Sequence, residues 1–274
     1  MSVPSPTTED SQGPWRSHHR VEVMGTVITF DIYCEADVSR QDLYVRVARA
    51  RAALERADAV FSTWNELSPI SQLRRGELTE AQAPADVAGV LGACEVARSM
   101  SDGWFDPWAV PGGVDPSGYV KGWAAQRALG ELAMSGVTGA LVNAAGDVAA
   151  FGRPGTGGPF RIAIADPAGR HGWACVVELA GALATSGTYE RGAHLIDPRS
   201  GRPGARAASA SVTGPDLGLA DSLATALAVA GEEGLGFIER SDGYEGFVIG
   251  YDGARKWTPG FPFAPAGSGR PAAR

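Results

Sequence analysis

The chain has 274 residues, 44% of them hydrophobic, enough apolar matter for one large core. Its net charge of −7, from 24 basic and 31 acidic residues, lacks the basic excess that a nucleic-acid binder shows. The three cysteines, Cys34, Cys94 and Cys175, are too scattered for a disulfide framework or a CxxC metal motif, and no apolar run of about 18 residues predicts a membrane span.

Residues 1–14 and 266–274 are polar or rich in Gly, Pro and Ala and read as disordered tails, which leaves 15–265 as a single domain. The first residues lack the charged and apolar regions of a signal peptide, so the expected location is the cytoplasm. Val21 to Cys34 alternates and is rich in β-branched residues, which predicts a hairpin bent at Met24-Gly25-Thr26. Gln41 to Phe61 has helical spacing, Phe61 to Gly76 reads as loop, and Pro84 to Met100 reads as a second helix. Ser101 to Gly118 is a long aromatic, Gly/Pro-rich loop of the kind that is usually functional. Lys121 to Met134 is the third predicted helix.

Gly139 to Gly152 predicts a hairpin turning at Ala145-Gly146-Asp147, followed by strands over Arg161–Asp166 and Cys175–Leu179. Ala184 to Gly201 gathers hydroxyls, glycines, His194 and a turn at Asp197-Pro198-Arg199-Ser200-Gly201; it reads either as a polar hairpin loop or as a site. A strand over Ala208–Thr213 leads into a helix over Leu219–Ala230, and a closing hairpin turns at Asp252-Gly253. Alternating helices and hairpins predict a mixed α and β fold.

Several stretches carry candidate chemistry. Thr185-Ser186-Gly187 offers two hydroxyls and a permissive backbone suited to phosphate oxygens. Asp221 and Thr225 stand four apart on one helix face, as hard oxygen ligands of Mg²⁺ would, or else as a first-turn acid and a hydroxyl bonded to its own backbone. Lys121 near a helix start suits an anionic phosphate, or is a solvated lysine after a turn. Met24, with Gly25 and Thr26, either sets a thioether against a flat ring or is core. Trp104, Phe105 and Trp108 either stack on an aromatic ligand or order their own loop.

Taken in order, VEVMGT, SPISQL, GWFDP, DPSGYVKGWAAQ, LVNAAGD, IADP, ATSG…HLIDPRSG and ADSLATAL resemble the FAD:protein FMN transferases of the ApbE family, from Val21 to Gly250. The resemblance implies an α+β fold: one compact domain of mixed, largely antiparallel sheet with flanking helices. It implies binding of FAD and Mg²⁺ and transfer of FMN to a threonine, in a flavinylation motif of an acceptor flavoprotein, with release of AMP. The alternatives are hydrolysis of FAD to FMN and AMP, or FAD binding without catalysis. By position, the resemblance makes Asp221, Thr225 and the Gly118 carbonyl the metal ligands and sets Met24 on the isoalloxazine. Asp106 holds the nucleotide, Lys121, Thr185, Ser186 and Gly187 lie along the flavin and pyrophosphate, and His194 and Asp197 complete the pocket. His194 is the candidate general base, with Asp221 and Lys121 as the other catalytic groups. The pattern departs at Arg74, where the family commonly has Asn, and at Ala145, where a glycine is usual.

Overall fold

The computed structural model describes residues 13–155, 157–169, 172–188 and 195–265. Alternating apolar residues make its first element, a hairpin of β1 (Trp15–Val23) and β2 (Thr26–Cys34) in which Val23 faces Thr26 across a two-residue turn. Met24 and Gly25 both have positive φ, 55° and 66°, as the mirror-image turn that suits twisted strands requires. β1 begins at Trp15 rather than at Val21; exposed Arg16, His18 and Arg20 alternate with half-buried Ser17 and His19, so this half of the strand shows no apolar alternation.

Helix α1 (Arg40–Phe61) follows, with Ser39 as its N-cap. The expected loop over 61–76 contains a short helix, α2 (Pro69–Arg74), started by the Ser68 hydroxyl accepting the Ser71 N–H at 3.1 Å and by Pro69 in the first turn. Six residues are too few to display a helical period, which is why the sequence reads as loop there. Next come α3 (Ala85–Met100) and α4 (Ser117–Glu131). α4 begins before the predicted Lys121 because Asp115 accepts the Ser117 N–H at 3.0 Å, so Lys121 stands in the second turn.

The remaining strands are β3 (Val137–Ala144), β4 (Asp147–Gly152), β5 (Phe160–Ala165), β6 (Trp173–Leu179), β7 (Gly181–Gly187), β8 (Ile196–Asp197), β9 (Arg202–Pro203) and β10 (Ser209–Gly214). Helices α5 (Leu217–Ala230) and α6 (Leu235–Glu239) precede the final hairpin of β11 (Glu245–Ile249) and β12 (Arg255–Trp257). Eight strands form one sheet in the order β1-β2-β3-β4-β7-β10-β11-β12, antiparallel at every junction. Strands β5 and β6 leave it as a separate hairpin, and so do β8 and β9.

Strand alternation gives the sheet two apolar faces. Ala140, Val142, Ala144, Ala149, Ala182, Ala184, Ala210 and Val212 join the main core with the helices. Leu141, Val148, Leu183, Phe247 and Ile249 face the other way and pack under the β5–β6 hairpin with Phe160, Ile164 and Val177. The small residues on the helix face let α5 come close. All of α5 is buried except Leu219 and Thr225, as its all-round apolar sequence requires.

Helices α4 and α5 touch backbone to backbone. A Cβ on Gly122 would lie 2.3 Å from the Leu217 carbonyl oxygen, and one on Gly218 would lie 2.7 Å from the Tyr119 ring. Gly122→Ala should therefore push the two helices apart and cost about 1–3 kcal/mol of stability, the usual range for overpacking. Urea unfolding followed by circular dichroism checks this; a midpoint equal to wild type would show that the helices separate freely.

Candidate functional site

Asp221 lies in the second turn of α5, where the N-cap is Asp216, whose carboxylate accepts the Leu219 N–H at 2.8 Å. It is therefore not a first-turn acid, and it is 3% exposed on a helix rich in Ala and Leu. The Lys121 ammonium, projecting from α4, is 4.0 Å from its Oδ2. That ammonium rests more tightly on Asp147, the first residue of β4, which is fully buried. The other Asp147 oxygen accepts the Thr185 backbone N–H at 3.0 Å. Two carboxylates and one lysine thus meet where α4, α5, β4 and β7 converge. Buried charges persist when paired and hydrogen-bonded, and Asp147 is both, to Lys121 and to the Thr185 N–H.

The residues expected at a metal are neighbours. The Gly118 carbonyl accepts the Ser222 hydroxyl at 3.1 Å, and a Cβ on Gly118 would sit 3.7 Å from the Thr225 hydroxyl oxygen. Gly118 on α4 and Asp221 and Thr225 on α5 therefore lie on facing surfaces of the two helices. A carboxylate, a hydroxyl and a carbonyl are hard oxygen donors, which fit Mg²⁺ completed by water and phosphate. Among the described residues no group of three or more His, Cys, Asp and Glu side chains that could hold a metal ion is found.

Thr185-Ser186-Gly187 is strand, the end of β7 paired with Ser209 to Ser211 of β10, rather than a hairpin loop. Alternation sends its two hydroxyls to opposite faces. Ser186 points to the helix face, 3.2 Å from the Thr225 hydroxyl. Thr185 Oγ1 meets Ser211 Oγ at 2.8 Å on the far face, so Thr185 reaches the charged cluster through its backbone. Two tight turns lie beside this end of the sheet. Ile28 pairs with Ala144, which sets Ala145-Gly146 alongside the start of β2 and the Met24-Gly25 turn. Ala145 has φ 54°, a left-handed conformation that glycine adopts more easily, and Asn143 steadies the turn by accepting the Gly146 N–H at 2.8 Å. Met24 and Thr26 are half-buried, with Met24 against the main core.

The aromatic loop braces this region from the side. Phe105 packs against Gly118. Trp104 is 3% exposed and covered by guanidinium groups, Arg199 at 3.5 Å and Arg206 at 4.8 Å, so a ligand ring would have to displace an arginine to stack there. Asp106 spends its carboxylate inside the loop, accepting the Trp108 N–H at 2.9 Å and pairing with Arg98 at 3.0 Å. Asp197 folds the turn that carries Arg199, accepting the Arg199 N–H at 2.9 Å. His194 lies outside the described residues. Arg74, where the pattern departs, reaches the carbonyls of Gly112 and Pro111 at 3.2 and 3.3 Å and pairs with Asp115 at 3.7 Å.

Sequence reading missed Asp147 and Ser222. A carboxylate at a core-facing strand position, in line with Ala149, is a signal that could have found the first, since Asp is rarely fully buried without a partner. Nothing local marks Ser222, whose hydroxyl is shared between the Gly118 carbonyl on another helix and the Gly218 carbonyl on its own.

Solved structures share this architecture. The flavin transferase ApbE from Vibrio cholerae superposes with a TM-score of 0.76 at 21% identity, covering 89% of this chain and 97% of that one. The apo flavinyl transferase ApbE of Pseudomonas stutzeri gives 0.76 at 24% identity, covering 90% and 96%. At these identities the likeness is one of fold: a single domain of antiparallel sheet with helices. The ApbE family profile matches residues 24–112 and 110–248, and the chain belongs to that family. Relatives named FAD:protein FMN transferase include those of Rhodobacter capsulatus, 39% identical over 132 residues, and Escherichia coli K12, 31% identical over 151. The matches cover 44% and 51% of this chain and 24% and 43% of those proteins, so the chain spans less than half the length of these curated relatives.

Arg74→Ala should loosen the aromatic loop. Limited proteolysis with mass spectrometry should find cleavage between Val110 and Gly113 about tenfold faster, because two loop carbonyls lose their donors. Unchanged cleavage would mean that the loop holds without Arg74.

Proposed function

We propose that the protein is an FAD:protein FMN transferase that uses Mg²⁺, with a threonine hydroxyl of a flavoprotein as acceptor. The observation that carries this reading is the convergence of Gly118, Asp221, Thr225, Lys121 and Asp147 at one end of the sheet. Membership of the ApbE family and the names of the relatives support it. In the reaction, the acceptor oxygen bonds to the phosphorus of the FMN half and the anhydride oxygen leaves with AMP. The hydroxyl proton passes to a base, for which His194 is the candidate.

The residues divide the work. Asp221, Thr225 and the Gly118 carbonyl would hold the cation, which when bound supplies positive charge to the diphosphate. Lys121 would add a second positive charge to the diphosphate. Ser186 and the half-buried end of β7 offer hydrogen bonds along the phosphates. Met24, Gly25 and Thr26 sit at the turn proposed to meet the flavin ring. Trp104, Asp106 and Asp197 serve by fixing the walls: Trp104 and Asp197 through contacts among loops, Asp106 through Trp108 and Arg98 of α3. A cytoplasmic location belongs to the same reading, on the three free cysteines, which persist as thiols in a reducing compartment. No helix among the described residues is long and apolar enough to cross a membrane.

The test is incubation with FAD and Mg²⁺ alongside a flavoprotein bearing a candidate threonine. AMP should appear together with FMN mass on the acceptor; AMP and free FMN alone would mean hydrolysis, and neither would overturn the enzyme reading. Asp221→Ala should abolish Mg²⁺-dependent AMP release, and full activity in that variant would remove Asp221 from the metal. His194→Ala should lower kcat by about 100-fold or more while FAD affinity changes little, the signature of lost proton transfer. A large loss of FAD binding with unchanged kcat would give His194 a binding role instead.

A further inference from the structure

Lys121 faces two carboxylates and is shared unequally between them. Its ammonium is in close contact with Asp147 and is 4.0 Å from Asp221. Asp221 is the carboxylate expected at a cation, and a lysine pressed against it would compete for the same oxygens. Charge alone makes this competition strong in a buried setting. Asp147 holds the same ammonium from the side of the sheet. It starts β4 immediately after the tight turn at Ala145-Gly146, and its core-facing register aims it under α4. Its Oδ1 accepts the Thr185 N–H just beyond the last paired residues of the β4–β7 ladder, Val148 with Leu183. One oxygen is therefore pinned to β7 and the other is left to face Lys121.

We propose that Asp147 is a positioning residue: it draws the Lys121 ammonium away from Asp221, leaving the Asp221 carboxylate to a divalent cation. The inference rests on the transferase reading for its purpose, since a lysine held beside a metal site, yet off the metal's own ligand, suits two-point neutralisation of a diphosphate. Asp147 itself touches neither cation nor substrate. Its action passes through Lys121, which separates it from a third carboxylate ligand and from a purely structural brace.

The experiment measures the Mg²⁺ concentration that half-saturates the rise in unfolding temperature of the full chain without FAD, because a ligand that binds the folded state raises that temperature. Asp147→Asn keeps an acceptor for the Thr185 N–H but loses the anion. It should raise the half-saturating Mg²⁺ by about tenfold, as Lys121 swings to Asp221. Asp147→Asn combined with Lys121→Gln should return it to the wild-type value or lower. Asp147→Ser replaces the amide variant, with the same expectations, if the amide does not fold. An unchanged Mg²⁺ requirement in Asp147→Asn overturns the proposal. So does a raised requirement that removing Lys121 fails to rescue, which would make Asp147 a ligand. A wild-type protein that shows neither a Mg²⁺ shift nor AMP release overturns the transferase reading as well; a wild type that shows both, beside an unaltered Asp147→Asn, overturns this inference alone.

Discussion

The closeness of α4 and α5 is the constraint on which the rest of the structure depends. Gly122 lies against the Leu217 carbonyl and Gly218 lies under the Tyr119 ring, so glycine on each helix permits the close approach at the crossing. One turn along, the same geometry brings Gly118 to Ser222 and Thr225, and Lys121 to Asp221. With bulkier residues at the crossing, these pairs would part, and a carboxylate on a helix otherwise lined by Ala and Leu would be buried without recompense. The alanines of β3, β4, β7 and β10 matter for the same reason, because they let α5 sit low on the sheet, within reach of Ser186.

The charged cluster is also a joint between layers. Asp147 ties β4 to β7 through the Thr185 N–H and ties the sheet to α4 through Lys121. Ser222 ties α5 to α4 through the Gly118 carbonyl. Asp147, Lys121 and Gly118 thus each take part in holding two elements together, so this part of the site is pre-organised by contacts that fasten the domain. The aromatic loop adds a second brace, with Phe105 against Gly118 and with Trp104 clamped under arginines from the segment after β7.

Most of the fold was legible because its signals are local. Alternation marked the β2, β3–β4 and β11 strands, and helical spacing marked α1, α3 and α5. The ordered motifs pointed to the family, and through it to Gly118, Asp221 and Thr225. What escaped was set by partners distant in sequence. The outer half of β1 carries Arg and His on its solvent face, α2 is too short to show a period, and Thr185-Ser186-Gly187 looks like loop because its pairing partner, β10, comes later. Asp147 could be seen as a turn residue, but its bond to a lysine on a helix could not, since nothing in LVNAAGD names α4. The same holds for Arg74, whose departure from the usual Asn makes sense only once the Pro111-Gly112 carbonyls lie beside it.

The β5–β6 hairpin has a feature with a consequence for synthesis. Its outer strand is bonded by Pro262, which accepts the Glu178 N–H at 2.9 Å, and by Ala264, which donates to the Val176 carbonyl at 2.8 Å, while Phe261 and Phe263 pack on Phe247. These partners are made long after β6 itself. A nascent chain leaving the ribosome must therefore carry β6 half-bonded, with its apolar underside exposed, while β7, α5 and β11 are still being added. Such a half-bonded hairpin is a surface that a chaperone would shield.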